Sequence, residues 1–346
     1  MQEHECYMQR CLQLAEKGLG NVAPNPLVGA VIVHEGKIIG EGYHRQFGGP
    51  HAEVEAIQNV PSEWKHLLAH ATLYVSLEPC AHYGKTPPCT QLILMHKIPR
   101  VVIGCVDPFT EVNGAGVKQL QDAGVEVTIP VMEKECKFLN RRFFCFHQHK
   151  RPFILLKWAE SADGFLSVKG KQTKISDLIT DQQVHRWRSE EQAILVGANT
   201  VRVDDPELTV RHWTGKNPVR IFIDKKLAIP RTAKIYNHAA PTIILNQILH
   251  NEEGNLLFVK MPEEENLLTY LCGLLYQRNI QSLLVEGGAN LLNQFISLGC
   301  FDEIRQIVSQ EKYLHKGLPA PVPGLDPIAL KVWGRDRIYV YQNLKK

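Results

Sequence analysis

The sequence contains no apolar run that approaches the roughly 20 residues a membrane-spanning helix needs. Its opening stretch, MQEHECYMQRCLQLAEKGLG, is interrupted by charge and lacks the apolar segment and small-residue cleavage site of a secretory signal. Charge of one sign is also missing: the net value is +3, and no Lys/Arg cluster stands out. A basic groove interleaved with aromatics is therefore absent, which argues against a nucleic-acid partner. No internal repeat or low-complexity tract is visible. The nine cysteines are odd in number and carry no secretory context, so they fit reduced thiols better than a disulfide framework. A soluble cytoplasmic protein is expected.

What is present is enough chain for two cores. A single core seldom grows past roughly 250–300 residues, and this chain has 346. Helical spacing of apolar residues runs over 6–18, and LVGAVIVHEGKIIGEGYH reads as a hairpin about a His-Glu-Gly turn. The segment from His51 to Gln58 is expected to be helical, ATLYVSL and RVVIGCVD to be strands, and GAGVKQLQDAG with VEVTIP to be a helix–strand pair. MEKECKFLNRRFFCFHQHKRP reads as one closing helix, after which the strand PFILLKWA begins. Further α/β alternation follows: DQQVHRWRSEE as a helix, AILVGANT, VRIFID and PTIILN as strands, NLLTYLCGLLYQRNI as a helix, SLLVEGG as a strand and ANLLNQFISLG as a helix. Two different α/β domains are expected, 1–148 and 149–346.

His51, Cys80 and Cys89 supply the imidazole and thiolate donors that zinc prefers, and a catalytic zinc uses three protein ligands beside an open position. A closed structural site would need a fourth ligand, for which Cys105 or His82 could serve. Glu53 favours catalysis, because a purely structural site has no use for a carboxylate beside the histidine. Residues two apart on a helix diverge by about 200°. His51 and Glu53 can therefore serve one metal-bound water only if the metal lies off the helix N-terminus. Cys80 and Cys89 each follow a proline, which suits helix starts where the dipole stabilises thiolates. The pattern H-x-E with P-C is the zinc deaminase signature, with Glu53 carrying a proton from water to the leaving ammonia. Here eight residues separate the two cysteines in place of two.

Taken together, PNPLVGAVIV, HAEVEAI and EPCAHYGKTPPC resemble the bifunctional riboflavin-biosynthesis deaminase–reductases of bacteria. The long insert between the cysteines sets that family apart from tRNA adenosine and cytidine deaminases. The resemblance implies a cytidine-deaminase-like three-layer domain followed by a dihydrofolate-reductase-like α/β domain. It also implies a substrate, 2,5-diamino-6-ribosylamino-4(3H)-pyrimidinone 5′-phosphate, which would lose its ring amine at zinc. By the family's motifs Asn25, His44, His82 and Lys85 would hold that substrate. On residue chemistry alone, Asn25 between two prolines also reads as a turn residue, and Lys85 as a loop charge.

In the second half, LLVEGGANLL runs from a strand through two glycines into a helix. That is a phosphate cradle in outline, or a plain strand–turn–helix. LKWAESADG puts Lys157 at the end of a strand, before a turn at Asp163-Gly164. The resemblance implies that this half uses NADPH to reduce the ring-opened ribosylamino group to ribitylamino. Arg188, Leu208, Arg211 and Glu286 would then face the substrate, with Lys157 beside the hydride-accepting carbon. Thr200, Asp204, Gly288, Ala289, Asn290 and Leu291 would line the cofactor. Where the family reads S-x-W-I-T, QTKIS places Gln172 and Lys174 in this chain, and KGLPAPVPG stands for the usual A-P-x-x-L-G. Lys174 could meet a cofactor phosphate or be a surface charge. Zinc, NADPH and a homo-oligomer are the expected cofactors and assembly. The rival readings are a deaminase whose second domain does not catalyse, and a zinc-stabilised binding module without turnover.

Overall fold

The computed structural model describes every residue except 1, 82, 84–86, 110–112, 169–170 and 345–346. It divides into two compact units, Met1–Lys150 and Arg151–Lys346.

The first unit runs α1 (Gln2–Glu16), β1 (Gly29–His34), β2 (Lys37–Tyr43), α2 (Ala52–Gln58), a 3-10 turn (Ser62–His70), β3 (Thr72–Val75), α3 (Cys89–Met95), β4 (Arg100–Ile103), α4 (Ala115–Asp122), β5 (Glu126–Thr128), α5 (Glu133–Leu139) and α6 (Arg141–His149). Among the described residues the sheet order is β2-β1-β3-β4-β5, with β1 antiparallel to β2 and β3 and the rest parallel. Side chains alternate across a strand, so β1 feeds two cores. Ala30 and Ile32 meet Ala52, Ala56, Ile93 and Leu120 from α2, α3 and α4. Val31 and Val33 meet Met8, Cys11, Leu12, Cys136 and Phe143 from α1, α5 and α6. Helices on both faces make the expected three-layer α/β sandwich.

Two glycines bring α2 against the sheet edge. A Cβ at Gly40 or Gly42 in β2 would run into the backbone of Ala56 and, at Gly42, also of Ala52. Only a bare backbone lets the helix lie this close, and α2 carries Glu53 in its first turn. The sequence reading of one closing helix is corrected here. The helix breaks at Asn140, whose buried amide accepts the Leu27 N–H at 2.7 Å and donates to the Leu27 carbonyl at 2.8 Å. That clamp across 113 residues outweighs helix continuity.

The second unit runs β6 (Phe153–Glu160), β7 (Phe165–Ser167), α7 (Leu178–Glu190), β8 (Ala193–Gly197), α8 (Ala198–Asp204), β9 (Val219–Ile223), a 3-10 turn (Lys234–Tyr236), β10 (Thr242–Asn246), β11 (Asn251–Glu253), β12 (Leu256–Lys260), α9 (Leu267–Gln277), β13 (Ser282–Gly287), α10 (Ala289–Ser297), β14 (Glu303–Ser309), β15 (Leu318–Pro319), β16 (Ala329–Trp333) and β17 (Asp336–Gln342). Its main sheet, in the described residues, is ordered β11-β12-β10-β9-β8-β13-β6-β14-β17-β16. The centre from β12 to β14 is parallel, and antiparallel strands close both edges. Fully buried parallel strands read as unbroken apolar runs, which is why ILL, AILV and SLLV were visible in the sequence. Three details differ from that reading. AILVGANT leaves the strand at Gly197 and becomes helical; Lys157 lies inside β6 rather than at its end; and the β16–β17 hairpin was not read at all.

Candidate metal centre and cofactor cleft

His51 is the N-cap of α2, in extended conformation, so its ring sits off the helix start while Glu53 lies in the first turn. Cys89 opens α3 directly after Pro88. Cys80 follows a proline too but lies outside any helix or strand rather than at a helix start, contrary to the sequence reading. His51 Nδ1 is 3.6 Å from Cys80 Sγ and 3.3 Å from Cys89 Sγ. All three donor atoms lie within 4.8 Å of one another. A tetrahedral zinc with bonds of about 2.1 Å to nitrogen and about 2.3 Å to sulfur sets N···S edges of about 3.6 Å. The donor set and its spacing therefore fit zinc. Among the described residues no fourth ligand joins the group. Cys105 packs instead in the core on the α1 face of the sheet, its thiol against the Ser76 carbonyl.

The electrostatics suit a metal with a working carboxylate beside it. Hydrogen bonding from the Cys89 thiol, and then from His51, holds Cys80 down to about 4. His51 is pushed up to about 9, chiefly by its hydrogen bond with Cys80. Glu53 is only 3% exposed, and that burial raises its pKa. A carboxyl that holds a proton more readily than usual is what a proton shuttle needs.

Asn25 and His44 are brought to the same site. The His44 Nδ1–H donates to the Pro50 carbonyl at 2.8 Å, which leaves Nε2 to accept from Asn25 Nδ2 at 3.0 Å. The His44 ring meets the His51 ring edge-on at 5.8 Å between centroids. His82 and Lys85 lie outside the described residues. Sequence reasoning missed Glu78, whose buried carboxylate accepts four backbone N–H groups from residues 107–117. Its only signal was an acidic residue in an otherwise apolar strand end.

In the second unit a cleft of about 400 Å³ is lined by Lys157, Thr200, Asp204, Leu208, Glu286, Gly288, Ala289 and Asn290, among others. Gly288 has φ +85°, and a side chain at Gly287 would press on Thr200 at 3.3 Å. The bare turn leads into the N-terminus of α10, whose first N–H groups have no intrahelical partner. A bare turn and free N–H groups suit the phosphates of a dinucleotide. The Leu291 side chain points into the core and does not line the cleft.

Glu286 is the floor of this cleft. It takes a bidentate ion pair from Arg188, both bonds 2.7 Å, and a second ion pair from Lys157 at 3.2 Å. Burial works to raise its carboxyl, but the two cations outweigh burial and hold it down to about 2. Arg188 therefore stands behind Glu286 and does not line the cleft. Arg211 is on a loop, and its half-exposed guanidinium reaches Glu207 at 3.2 Å and Thr209 Oγ1 at 3.1 Å. Its backbone N–H donates to His185 Nδ1 at 3.1 Å. His185 was also missed, although it shares a face of α7 with Arg188 by its i, i+3 spacing. Gln172 reaches the Asp204 carbonyl, and Lys174 pairs with Asp181 at 2.8 Å outside the cleft. The surface-charge reading of Lys174 is the one its geometry supports.

A three-layer unit with an imidazole–dithiolate site, joined to a parallel-sheet unit with a glycine-turn cleft, defines a zinc deaminase fused to a cofactor-binding reductase. The family model for the cytidine and deoxycytidylate deaminase zinc-binding region matches residues 1–105, and that for the RibD C-terminal domain matches 152–309. The riboflavin biosynthesis protein RibD of Aquifex aeolicus is 42% identical over 323 residues, covering 90% of this chain and 88% of its own. That of Bacillus amyloliquefaciens is 39% identical, covering 87% and 82%. Among solved structures, the Thermotoga maritima diaminohydroxyphosphoribosylaminopyrimidine deaminase/5-amino-6-(5-phosphoribosylamino)uracil reductase is 36% identical, with a TM-score of 0.90 over 99% of both chains. RibD of Acinetobacter baumannii is 31% identical, with a TM-score of 0.88 over 98% of both. The chain belongs to the RibD family of riboflavin biosynthesis proteins.

Proposed function

We propose that the two units carry out consecutive steps on one pyrimidine ribotide, residues 1–148 as the deaminase and 149–346 as the reductase. The first step is hydrolysis of the ring amine of 2,5-diamino-6-ribosylamino-4(3H)-pyrimidinone 5′-phosphate: water enters and ammonia leaves. His51, Cys80 and Cys89 hold the zinc. Zinc at this site supplies Lewis-acid activation of water near neutral pH. Glu53 accepts the proton on its carboxylate and returns it to the departing nitrogen. Asn25 and His44, locked together by their hydrogen bond, present a fixed polar edge to the pyrimidine. His82 and Lys85 complete substrate binding, Lys85 as a point charge for the phosphate.

In the second step NADPH supplies the hydride that converts the ribosylamino group to ribitylamino. Thr200, Asp204 and the turn from Gly288 through Ala289 and Asn290 hold the cofactor. Glu286 orients Lys157, so that the ammonium donates a hydrogen bond beside the hydride-accepting carbon. Leu208 packs against the substrate, while Arg211 favours its 5′-phosphate. An intact ion-pair floor in an open cleft speaks against a decayed second domain.

The observation that carries the reading is the buried Glu53 beside three zinc-type donors within 4.8 Å. The test supplies the ribotide and NADPH and follows ammonia and NADPH absorbance separately. Both signals are expected, with ammonia first; ammonia without NADPH oxidation would leave only the deaminase. We further place the protein in the cytoplasm, where reducing conditions keep Cys80 and Cys89 as thiols, and without a nucleic-acid partner. A homo-oligomer is supported by the outermost strand β16, which exposes Leu330 and Val332 on a sheet edge. Light scattering checks it.

A further inference from the structure

The arms that carry Cys80 and Cys89 are both fastened to one helix, α4. We propose that Glu78 and Gln119 are positioning residues that use α4 as a ruler, setting the spacing of the two thiolates and hence the affinity for zinc. The inference rests on the zinc reading above and concerns how the chain prepares that site. Cys80 lies outside any helix or strand and Cys89 at a helix start, with eight residues between them in the sequence.

Glu78, two residues before Cys80, is 4% exposed. Its Oε1 accepts the N–H groups of Gly116 at 2.8 Å and Val117 at 3.2 Å, and its Oε2 those of Gly114 at 3.0 Å and Asp107 at 3.2 Å. Three of these donors belong to the start of α4, where unpaired N–H groups and the helix dipole both favour a carboxylate. The fit is close: a Cβ at Gly116 would strike the Pro79 carbonyl, one residue from the ligand. The second arm is fastened one turn further along. Thr90, next to Cys89, is fully buried, and its hydroxyl lies 2.8 Å from Gln119 Oε1 and 3.2 Å from the Cys80 carbonyl. Gly116 and Gln119 are three residues apart, on the same face of the helix. A rigid rise of about 1.5 Å per residue thus separates the two attachment points. The bracket closes between the arms themselves, where the Cys89 N–H donates to Cys80 Sγ at 3.3 Å.

The test measures zinc affinity of the full chain by competition with a chromophoric chelator, and the cobalt(II) absorption spectrum of the substituted site. Glu78→Gln turns one acceptor oxygen into a donor facing N–H groups. Outer partners of this kind set metal affinity by about ten- to hundred-fold, and a loss of that size is expected, with an altered cobalt spectrum. Gln119→Ala should show a smaller loss. Gln119→Glu, which keeps an acceptor for the Thr90 hydroxyl, should hold the affinity. A merely structural role would lower the melting temperature and leave both metal readouts unchanged; that result for Glu78→Gln overturns the inference. If Glu78→Gln fails to fold, unchanged zinc affinity in Gln119→Ala overturns it instead. Lack of zinc in the unsubstituted chain is a separate outcome, which would remove the metal site itself.

Discussion

The metal centre and the reductase cleft differ in how their working residues are gathered. The first takes its donors from two short segments, at 51–53 and 80–89, whose chemistry has few other uses. The cleft draws Lys157, Thr200, Leu208 and Glu286 from β6, α8, a loop and β13, residue types found on any protein surface. Metal coordination dictates residue type and distance together, so such a site announces itself in sequence. A cleft held by ion pairs dictates distance alone. The two sites should consequently fail in different ways.

Removing a ligand should have the largest effect. Cys80→Ala or Cys89→Ala is expected to abolish zinc binding and ammonia release together, because two protein ligands seldom retain zinc at a catalytic site. Reduction of pre-deaminated substrate should survive. Metal analysis showing full occupancy in either variant would refute the ligand set, and loss of reduction would refute the separation drawn between the sites.

Glu53→Gln comes next and sharpens the contrast within the first unit. The amide keeps the size of the buried side chain but cannot carry a proton, so zinc should remain bound. Ammonia release should fall by about 10²–10⁴-fold, the usual worth of a positioned acid–base group. A variant that loses zinc as well would make Glu53 a structural member of the site.

For the cleft the corresponding weak point is a charge rather than a ligand. Glu286→Ala leaves Arg188 and Lys157 buried without their shared partner, and breaking a buried pair costs about 3–5 kcal/mol. Denaturant unfolding followed in the second unit should register it, with zinc content unchanged. The same carboxylate predicts an acid limit. Its pKa is lowered in the fold to about 2, so its stabilisation is present above the unfolded value near 4.5 and is lost as pH falls from there towards 2. Acid titration of Glu286→Ala should therefore show a flatter stability curve over that window than the unsubstituted chain.

How much of this was legible follows the same division. The apolar runs of β1, β6, β8 and β13 are plain in the sequence, and the structure has them where expected. The break at Asn140 was not legible, because its cause is a contact with Leu27 far away in sequence. Glu78 and His185 were missed for the same reason: each acts on the backbone of a distant segment, and nothing in their neighbours announces it. His51, Glu53, Cys80 and Cys89 were found from residue type and spacing. The glycine turn was read as a phosphate cradle from its own residues, while the other cleft residues came through family resemblance; Arg188 was among them, and its guanidinium is engaged by Glu286.

Arg211 gives the smallest effect and the finest test of that last point. Its guanidinium is half-exposed and its ion pair with Glu207 is a surface one, worth no more than about 1 kcal/mol. Arg211→Ala should hardly change unfolding, in contrast to Glu286→Ala. If the guanidinium serves the 5′-phosphate, its planar fork matters as well as its charge, and a lysine keeps only the charge. The reductase KM for the ribotide should then rise several-fold in Arg211→Lys and further, by about ten-fold, in Arg211→Ala, roughly the worth of one charge-assisted hydrogen bond. The KM for NADPH and the rate of ammonia release should stay as they were. A rise in the NADPH KM alone would move Arg211 to the cofactor side of the cleft. No change in either constant would leave it a loop residue, tied to α7 through its backbone bond to His185.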